Sequence, residues 1–316
     1  MRLRQLTICF AILAMGLIAI GPVSDVSAVD LYVNNVTGDD LNDGRTERTS
    51  GNRVGPFKSI GRAIREGRPG DRIILAKNDE PYRESITIES ARKSGFPDKP
   101  FELIGNGAII DGSQPVPVGA WEHVRGQVFR FRPRGKSHHM VFLDGVPAKR
   151  LYIDPDAKTR PELAELEWCL YAGYVYFCVE SGEIPQTYDI AHSVLPVGLT
   201  LYRVRNVRVR DIVFQGFLLD GVNAHDGVSQ SELIQLTCRG NGRSGISVGG
   251  TSKMIVQSCL VGSNGTSQVR IEGVSQTRLV DCDLIDDANA PEIEENGGKI
   301  ERTKTTAELP DSRERR

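Results

Sequence analysis

The tetrapeptide Gly-Val-Ser-Gln at residues 227–230 returns unchanged at 273–276, and Gly-Thr-Ser-Lys occupies 250–253 between the two copies. The glycines that open the three copies are spaced evenly, at 227, 250 and 273. Each copy follows a short alternating segment and precedes an apolar one, with no helical spacing of apolar residues. A period between about 20 and 50 residues is typical of stacked supersecondary units. Units of strands and turns predict an all-β protein, a right-handed parallel β-helix or solenoid.

Stacked coils place equivalent side chains in columns along the solenoid axis. Alternation along each strand sends one set of side chains inward and the other outward. The predicted inward set is apolar and comprises Val222, Ala224, Ile246, Val248, Val269 and Ile271. The predicted outward set forms two rows, Asn223 with Ser247 and Arg270, and His225 with Gly249 and Glu272. The two outward rows are the face on which function is expected.

Five cysteines follow residue 28. Cys238, Cys259 and Cys282 each end an apolar segment, so we expect them in one interior column as reduced, buried, small apolar side chains. Metal ligation is the alternative, but zinc sites use more closely clustered ligands. Cys169 and Cys178 flank an aromatic segment that predicts a β-hairpin, and whether a disulfide joins them is left open.

The chain divides into five predicted segments. Residues 1–28 carry arginines, an apolar run and a small-residue site, which is typical of a cleaved signal peptide. An uncleaved membrane anchor is the alternative. Four segments follow, namely a short N-terminal capping helix with the first coils, a small β-rich insertion, the regular coils and a polar tail predicted to be disordered: 29–113, 114–198, 199–287 and 288–316.

These segments carry expectations about location and partners. A cleaved signal peptide predicts a protein that is secreted, extracellular or periplasmic, with no membrane association after cleavage. The last regular coil has no predicted cap, so its open edge is a candidate site for a partner or for self-association. A net charge of −2 and a pI near 6.3 lack the basic excess of nucleic-acid binders, so nucleic acid is excluded as a partner.

No cofactor is predicted from the sequence. The acidic turn at residues 39–44 does not fit the spacing of a calcium-binding loop, and a requirement for calcium is left open. The pair His138-His139 is interpreted as loop surface.

Four N-terminal stretches carry a family resemblance: YVNNVTGDD (32–40), GPFKSIGRAI (55–64), FELIGNGAIIDG (101–112) and FLDGV (142–146). Together with the repeated coils, they resemble secreted bacterial right-handed β-helix proteins of the pectate-lyase-like superfamily. The resemblance covers most of residues 30–287. It implies an extracellular protein that acts on or holds polysaccharide, with lyases and glycoside hydrolases both among the relatives.

Members of this superfamily often carry an Asp-Gly-x-x-x-His element on a substrate-facing strand. This sequence has the element once, from Asp220 to His225. In the next coil, Gly249 stands where a second histidine would be. The resemblance therefore implies a single histidine on the outward face.

Two catalytic hypotheses involve this face. In a lyase, His225 would remove the proton α to a uronate carboxylate, and Arg243 or Arg270 would neutralise that carboxylate. In a hydrolase, Asp226 and Glu272 would form the acid–base pair, about 9.6 Å apart if they lie two coils from each other.

The remaining polar residues of this region are assigned to substrate binding: Asp220, Asn223, Arg239 and Arg270. The first functional hypothesis is an enzyme that acts on an acidic polysaccharide. The alternative is a non-catalytic, glycan-binding or cell-surface structural solenoid, which the lone histidine and the short stack favour.

Overall fold

The computed structural model describes residues 28–154, 156–285 and 290–304. The predicted signal peptide therefore falls, except for its last residue, outside the described residues. Within the described ranges, no helix has both the length and the apolar character needed to cross a membrane.

Two sheets of parallel strands form the solenoid, and the predicted right-handed parallel β-helix is confirmed. The long sheet comprises, among the described residues, β1 Asp30–Val33, β2 Arg72–Leu75, β4 Phe101–Asp111, β14 Val207–Gln215, β16 Ser231–Ile234, β17 Thr237–Arg239, β19 Lys253–Gln257, β20 Leu260–Gly262, β22 Gln276–Val280, β23 Asp283–Leu284 and β25 Lys299–Thr303. The front sheet comprises β3 Ile86–Glu89, β13 Leu199–Tyr202, β15 Asp220–His225, β18 Ser244–Val248, β21 Ser267–Glu272 and β24 Ile293–Asn296. The interior between them is one apolar core.

The corners between the sheets depend on glycine. Gly227, Gly250 and Gly273 have φ values of 98°, 64° and 68°, a region that side chains with a Cβ rarely adopt. A Cβ on Gly273 would lie 3.0 Å from the carbonyl oxygen of Gly250 in the coil beneath. The repeated tetrapeptide is therefore the corner at which successive coils pack backbone against backbone.

A short helix covers the first coil, as predicted. Helix α1, Ile60–Glu66, buries Ile60, Ala63 and Ile64 against β1, β2 and β3. Its N-terminus is capped by Ser59, whose hydroxyl accepts a hydrogen bond from the Arg62 amide at 3.2 Å. The Glu84 carboxylate accepts the first two helical amide protons, at 2.8 and 2.9 Å. Three single-turn 3-10 helices are also described: Ala91–Lys93, Val118–Ala120 and Pro185–Thr187.

The β-rich insertion is confirmed and has its own apolar core around Trp168 and Phe177. One of its sheets comprises β6 Glu122–Arg125, β7 Val128–Phe131, β10 Trp168–Tyr171 and β11 Tyr174–Cys178. The other comprises β5 Ser113–Pro115, β8 Val141–Leu143, β9 Val146–Pro147 and β12 Ile190–Ser193. The insertion leaves the solenoid after β4 and returns at β13, and both sheets of the solenoid continue past it because β4 pairs with β14 and β3 with β13.

The predicted disorder of residues 288–316 is wrong for residues 290–304, which form a further coil. Strand β24 pairs with β21 and strand β25 pairs with β22, both in parallel. Gly297, with φ 103°, continues the corner column, and Ile293 and Ile300 pack against the core. Charged residues gave the segment its polar composition, and they extend to inward register positions, since Glu295 pairs with Ile271 and Arg302 with Leu279. Residues 305–316 lie outside the described residues.

The prediction that all three cysteines lie in one column is wrong for Cys238. Cys259 and Cys282 occupy equivalent positions, because Leu260 pairs with Asp283 directly after them. Cys238 instead pairs with Val261, two residues beyond Cys259. The spacing of the corner glycines already implies this register, since 238 lies 23 residues before 261 and only 21 before 259. All three thiols are buried and free, as expected.

The disulfide left open between Cys169 and Cys178 is not formed, and both thiols are buried and free. The predicted hairpin is present, but its register places Cys169 opposite Tyr176. Cys178 lies beyond the paired part of β10 and donates its amide proton to Glu167. Disulfides between neighbouring strands need directly opposed residues, so this register separates the two sulfur atoms.

Buried asparagines hold the turns that lead into the front sheet. The Asn264 side chain, 1% exposed, donates to the carbonyls of Cys238 and Gly262 at 3.0 and 3.1 Å. Its carbonyl oxygen accepts both the backbone and the side-chain amide protons of Asn241, at 2.9 and 3.0 Å. The hydrogen bonds of one turn are therefore completed by the side chain of the next.

Replacing Asn264 by alanine should lower the free energy of unfolding by about 3 kcal/mol, because it leaves several buried donors and acceptors without partners. Urea denaturation followed by circular dichroism measures the change. The control is Asn296→Ala, which removes an exposed 3.0 Å hydrogen bond to Glu294 and should change stability by less than about 0.5 kcal/mol. Equal losses in the two variants would contradict the structural role of the buried asparagines.

A second prediction concerns pH and the insertion. Burial, together with the nearby His139, lowers the pKa of His192 from 6.5 to about 4. Because the unfolded chain then binds this proton more readily than the folded one, stability should fall as the pH drops from 6.5 towards 4. Between pH 7 and 4.5 the expected loss from this group is about 2 to 3 kcal/mol.

Unfolding monitored by tryptophan fluorescence at both pH values tests this expectation. His192→Phe keeps a ring beside Phe131 but removes the titrating group. In this variant the loss of unfolding free energy between pH 7 and 4.5 should be smaller by about 2 to 3 kcal/mol. The same pH dependence in both proteins would refute the assignment.

Candidate functional site

The front sheet presents the two outward rows at the predicted positions. The predicted inward residues Val222, Ala224, Ile246, Val248, Val269 and Ile271 are all fully buried. Register pairing gives one outer row of Thr200, Asn223, Ser247, Arg270 and Glu294. The other row contains Tyr202, His225, Glu272 and Asn296, with Gly249 between His225 and Glu272. Ser247 is 1% exposed, so larger neighbours cover the middle of the first row.

His225 lies at the centre of the second row. Its side chain is 37% exposed, and its Nδ1 atom is 3.5 Å from Oδ2 of Asp226. The ring packs against Tyr202, with centroids 5.0 Å apart. A carboxylate near Nδ1 favours the tautomer with its proton on Nδ1, which leaves Nε2 able to accept a proton.

Gly249 leaves a gap between His225 and Glu272, which we call the notch. A Cβ at residue 249 would lie 3.9 Å from Cβ of His225 and 3.8 Å from Oε2 of Glu272. A side chain at this position is missing because the residue is glycine, so His225 and Glu272 have no side chain between them. The two side chains predicted for catalysis therefore face each other across one coil.

Asp220 is fully buried and does not reach the surface, which corrects its assignment to substrate binding. Its Oδ1 accepts hydrogen bonds from Arg243 Nε at 3.0 Å and from the Ser244 hydroxyl at 2.6 Å, and its Oδ2 forms an ion pair with Arg243 Nη2. Asn223 donates to Oδ2 at 3.2 Å. Strand alternation had assigned Asn223 to the surface, and it is half-buried with its amide turned towards Asp220. Asp220 is a positioning residue for Arg243.

The two predicted arginines differ in their free hydrogen-bonding capacity. Arg243 uses Nε and Nη2 on Asp220, and its Nη1 forms no hydrogen bond to a described residue. Arg270 uses Nε and Nη2 on Glu272, at 2.9 and 2.7 Å, and Nη1 on Glu294 at 2.6 Å. The hydrogen-bonded ion pair with Asp220 raises the pKa of Arg243. Partial burial acts to raise the pKa of Glu294, but a hydrogen bond from Asn296 and the charge of Arg270 outweigh it, so this pKa is lowered.

Arg239 does not belong to this face, contrary to its assignment as a flanking substrate contact. It lies in β17 of the long sheet, not in a turn, and its Nε donates to the side-chain oxygen of Gln215 at 3.0 Å. Gln215 in turn donates to Asp111 at 3.0 Å. These side chains form a polar row on another wall of the solenoid, because residues 240–243 turn the chain between Arg239 and the front sheet.

The loop that carries His138 lies against the solenoid turn that leads to Arg243, and the His138 side chain is exposed, as expected for loop surface. The insertion lays its backbone on this turn, where a side chain at Gly242 would collide with the His138 carbonyl. Partial desolvation and the positive charge of Arg243 lower the pKa of His138, and Arg150 acts in the same direction. The adjacent His139 is only 2% exposed and belongs to the interior of the insertion. No repeat or motif in the sequence points to His138.

In the described part of the chain, no group of three or more His, Cys, Asp or Glu residues is arranged to hold a metal ion.

The sequence matches no protein-family model and none of the curated proteins. Its fold is similar to a solved glycoside hydrolase, with a TM-score of 0.57 and 12% identity over 85% of this chain and 74% of that one. Weaker likenesses, both at 12% identity, are to a complex of XylC with xylose (TM-score 0.43, 87% of this chain and 70% of that one) and to pectate lyase Pel9A (TM-score 0.45, 88% and 63%). Identity at this level shows a shared fold only.

The buried Asp220–Arg243 pair makes a stability prediction. Asp220→Ala leaves Arg243 half-buried without its carboxylate and should lower the free energy of unfolding by about 3 kcal/mol. Asp226→Asn, at a carboxylate that is 52% exposed and at a backbone φ of 57° that asparagine tolerates, should change it by less than about 1 kcal/mol. Guanidinium denaturation of both variants measures the difference, and a similar small effect in each would show that Asp220 does not hold Arg243.

Proposed function

We propose that this protein is a polysaccharide lyase that cleaves a uronate-containing glycan by β-elimination on the front sheet. The observation that carries the proposal is the placement of His225, half-exposed and paired with Asp226, at an open notch on the face that also presents Arg243. The similarity of the fold to solved carbohydrate-active enzymes is compatible with this substrate class. We further propose that the protein works outside the cytoplasm, where such polymers occur.

His225 is the proposed base. Elimination begins when Nε2 takes the proton on the carbon next to the uronate carboxylate. The electron pair forms a carbon–carbon double bond as the glycosidic oxygen leaves, and the imidazolium returns the proton to that oxygen. Asp226 supports this cycle because its carboxylate stabilises the imidazolium formed in the first step.

Arg243 is the proposed neutralising group. Removing a proton beside a carboxylate places negative charge on its oxygens, and a fixed guanidinium compensates that charge. Arg243 is held by Asp220 and retains Nη1 for a ligand, whereas all three nitrogen atoms of Arg270 are engaged by Glu272 and Glu294. Of the two predicted candidates, Arg243 therefore fits the role, and Arg270 with Glu272 forms the far wall of the notch.

The hydrolase hypothesis is weaker on the same observations. It needs Asp226 and Glu272 as an acid–base pair, one of which must keep its proton near neutral pH. Glu272 is bound to the Arg270 guanidinium through two nitrogen atoms, so this carboxylate is already engaged in an ion pair. Its partner in the pair would have to be Asp226, whose side chain is 52% exposed to water.

A non-catalytic, glycan-binding solenoid is the second candidate. It is favoured by the charge of the C-terminal end of the face, where Glu272 and Glu294 surround the single Arg270. This end carries two carboxylates against one guanidinium, so it is unsuited to bind the carboxylate of a uronate unit.

The decisive experiment measures the unsaturated product of elimination. The protein is incubated with polyuronates and sulfated glycans, with and without calcium, while ultraviolet absorbance reports the new double bond. We expect product with at least one polyuronate, and a loss of at least about 100-fold in rate for His225→Ala. Arg243→Gln should lower the rate by a similar factor.

The matched control is His123→Ala, which removes an exposed histidine of the insertion and should leave the rate unchanged. New reducing ends without the absorbance, abolished by Glu272→Gln, would establish hydrolysis instead. Glycan binding without new ends would leave the non-catalytic solenoid.

A further inference from the structure

A cavity lies where the insertion meets the turns of the solenoid. It has a volume of about 310 Å³ and lies between the segment 147–152 of the insertion and the solenoid turn at Ser263 and Asn264. Two basic side chains and Tyr152 line it. Neither of the functional hypotheses for the front sheet uses this cavity.

Arg150 is the distinctive group of the cavity. Its guanidinium lies over the rings of Tyr152 and Trp168, with its Cζ atom 4.4 and 4.9 Å from their centroids. No carboxylate of the described ranges lies within ion-pair distance of it, and its buried Nε has no hydrogen-bond partner. By contrast, the neighbouring Lys149 pairs with Glu167 at 2.7 Å. Arg150 is therefore a fixed, partly buried positive charge without a counter-charge.

Stacking on aromatic rings leaves the edge of a guanidinium open. The planar fork of N–H donors matches the paired oxygens of a carboxylate or of a sulfate ester. Burial of the rest of the side chain lowers the pKa of Arg150, which shows that the charge is held at a cost that an anionic ligand would offset. A bound oxygen would supply the partner that Nε lacks, and a second would reach the neighbouring nitrogen of the fork.

The cavity adjoins the proposed active site. The Tyr152 hydroxyl donates to the carbonyl of Gly265 at 3.1 Å, and the hydroxyl of the next residue, Thr266, donates to the Arg243 carbonyl at 2.7 Å. His138 is close enough to both Arg150 and Arg243 for each to lower its pKa. One chain of contacts therefore leads from the cavity to the neutralising arginine of the front sheet.

We infer that the insertion carries a subsite, centred on Arg150, that binds an oxyanion borne by a sugar unit of the same glycan chain whose cleavage site lies at His225. This inference rests on the proposed function for the identity of the chain. It gives the insertion a role in substrate selection, because a neutral glycan offers nothing to neutralise Arg150.

The test measures binding separately from cleavage. The full chain with His225→Ala is titrated calorimetrically with oligouronates, sulfated dextran and neutral dextran, so that carboxylate and sulfate are distinguished. In the His225→Ala protein, the further change Arg150→Gln should raise the dissociation constant of the charged ligand about ten-fold or more. Arg150→Lys in its place should restore only part of the lost affinity. The control Arg125→Gln removes one exposed positive charge elsewhere on the insertion and should leave the affinity unchanged.

The outcomes separate this inference from the proposed function. Equal affinities for Arg150→Gln and Arg125→Gln, or equal binding of neutral and charged dextrans, would overturn the subsite. If Arg150→Gln unfolds the insertion, as judged by tryptophan fluorescence, Arg150→Lys carries the test, and full affinity in that variant would overturn bidentate recognition. A protein that binds through Arg150 yet releases no unsaturated product would retain the subsite and lose the lyase assignment.

Discussion

Close contact between the corners of successive coils is the constraint on which this structure depends. At Gly250, Gly273 and Gly297 the backbone turns with positive φ against the coil beneath, and a Cβ at Gly297 would lie 2.8 Å from the Gly273 carbonyl oxygen. Such corners fix the vertical alignment of each coil to within one residue. Because a shift of one residue would exchange the inner and outer faces, the same corners place His225 outside and Ala224 inside.

The sequence was sufficient where the repeat is periodic and insufficient where it is not. The corner glycines and the alternation of apolar residues gave the solenoid and both outward rows. The cysteine column failed because cysteines were aligned with one another instead of at the 23-residue spacing of the glycines, which places Val261 beside Cys238. The final coil was missed because its charged residues dominate the composition and conceal Ile293, Gly297 and Ile300.

The residues of the candidate site also fall into two groups, those that the repeat predicts and those that it does not. His225, Gly249 and Glu272 follow from the period, since each lies in a strand of the front sheet. The burial of Asp220 also follows from alternation, since it lies two residues before the inward Val222, but its ion pair with Arg243 does not. His138 and Arg150 enter through contacts between the insertion and the solenoid turns. Such contacts join residues far apart in an aperiodic segment, so no pattern in the sequence records them.

The path of the chain through the insertion has an evolutionary meaning. Strands β4 and β14 are direct neighbours in the long sheet, and β3 and β13 are neighbours in the front sheet, although the whole insertion separates them along the chain. The insertion thus occupies the place of a loop between two adjacent coils and interrupts no ladder of either sheet. Such a unit is free to diverge, or to be exchanged between homologous solenoids, without loss of the scaffold. The part of the gene that encodes the solenoid, with its proposed reaction, and the part that encodes the insertion, with its proposed ligand preference, would then evolve separately.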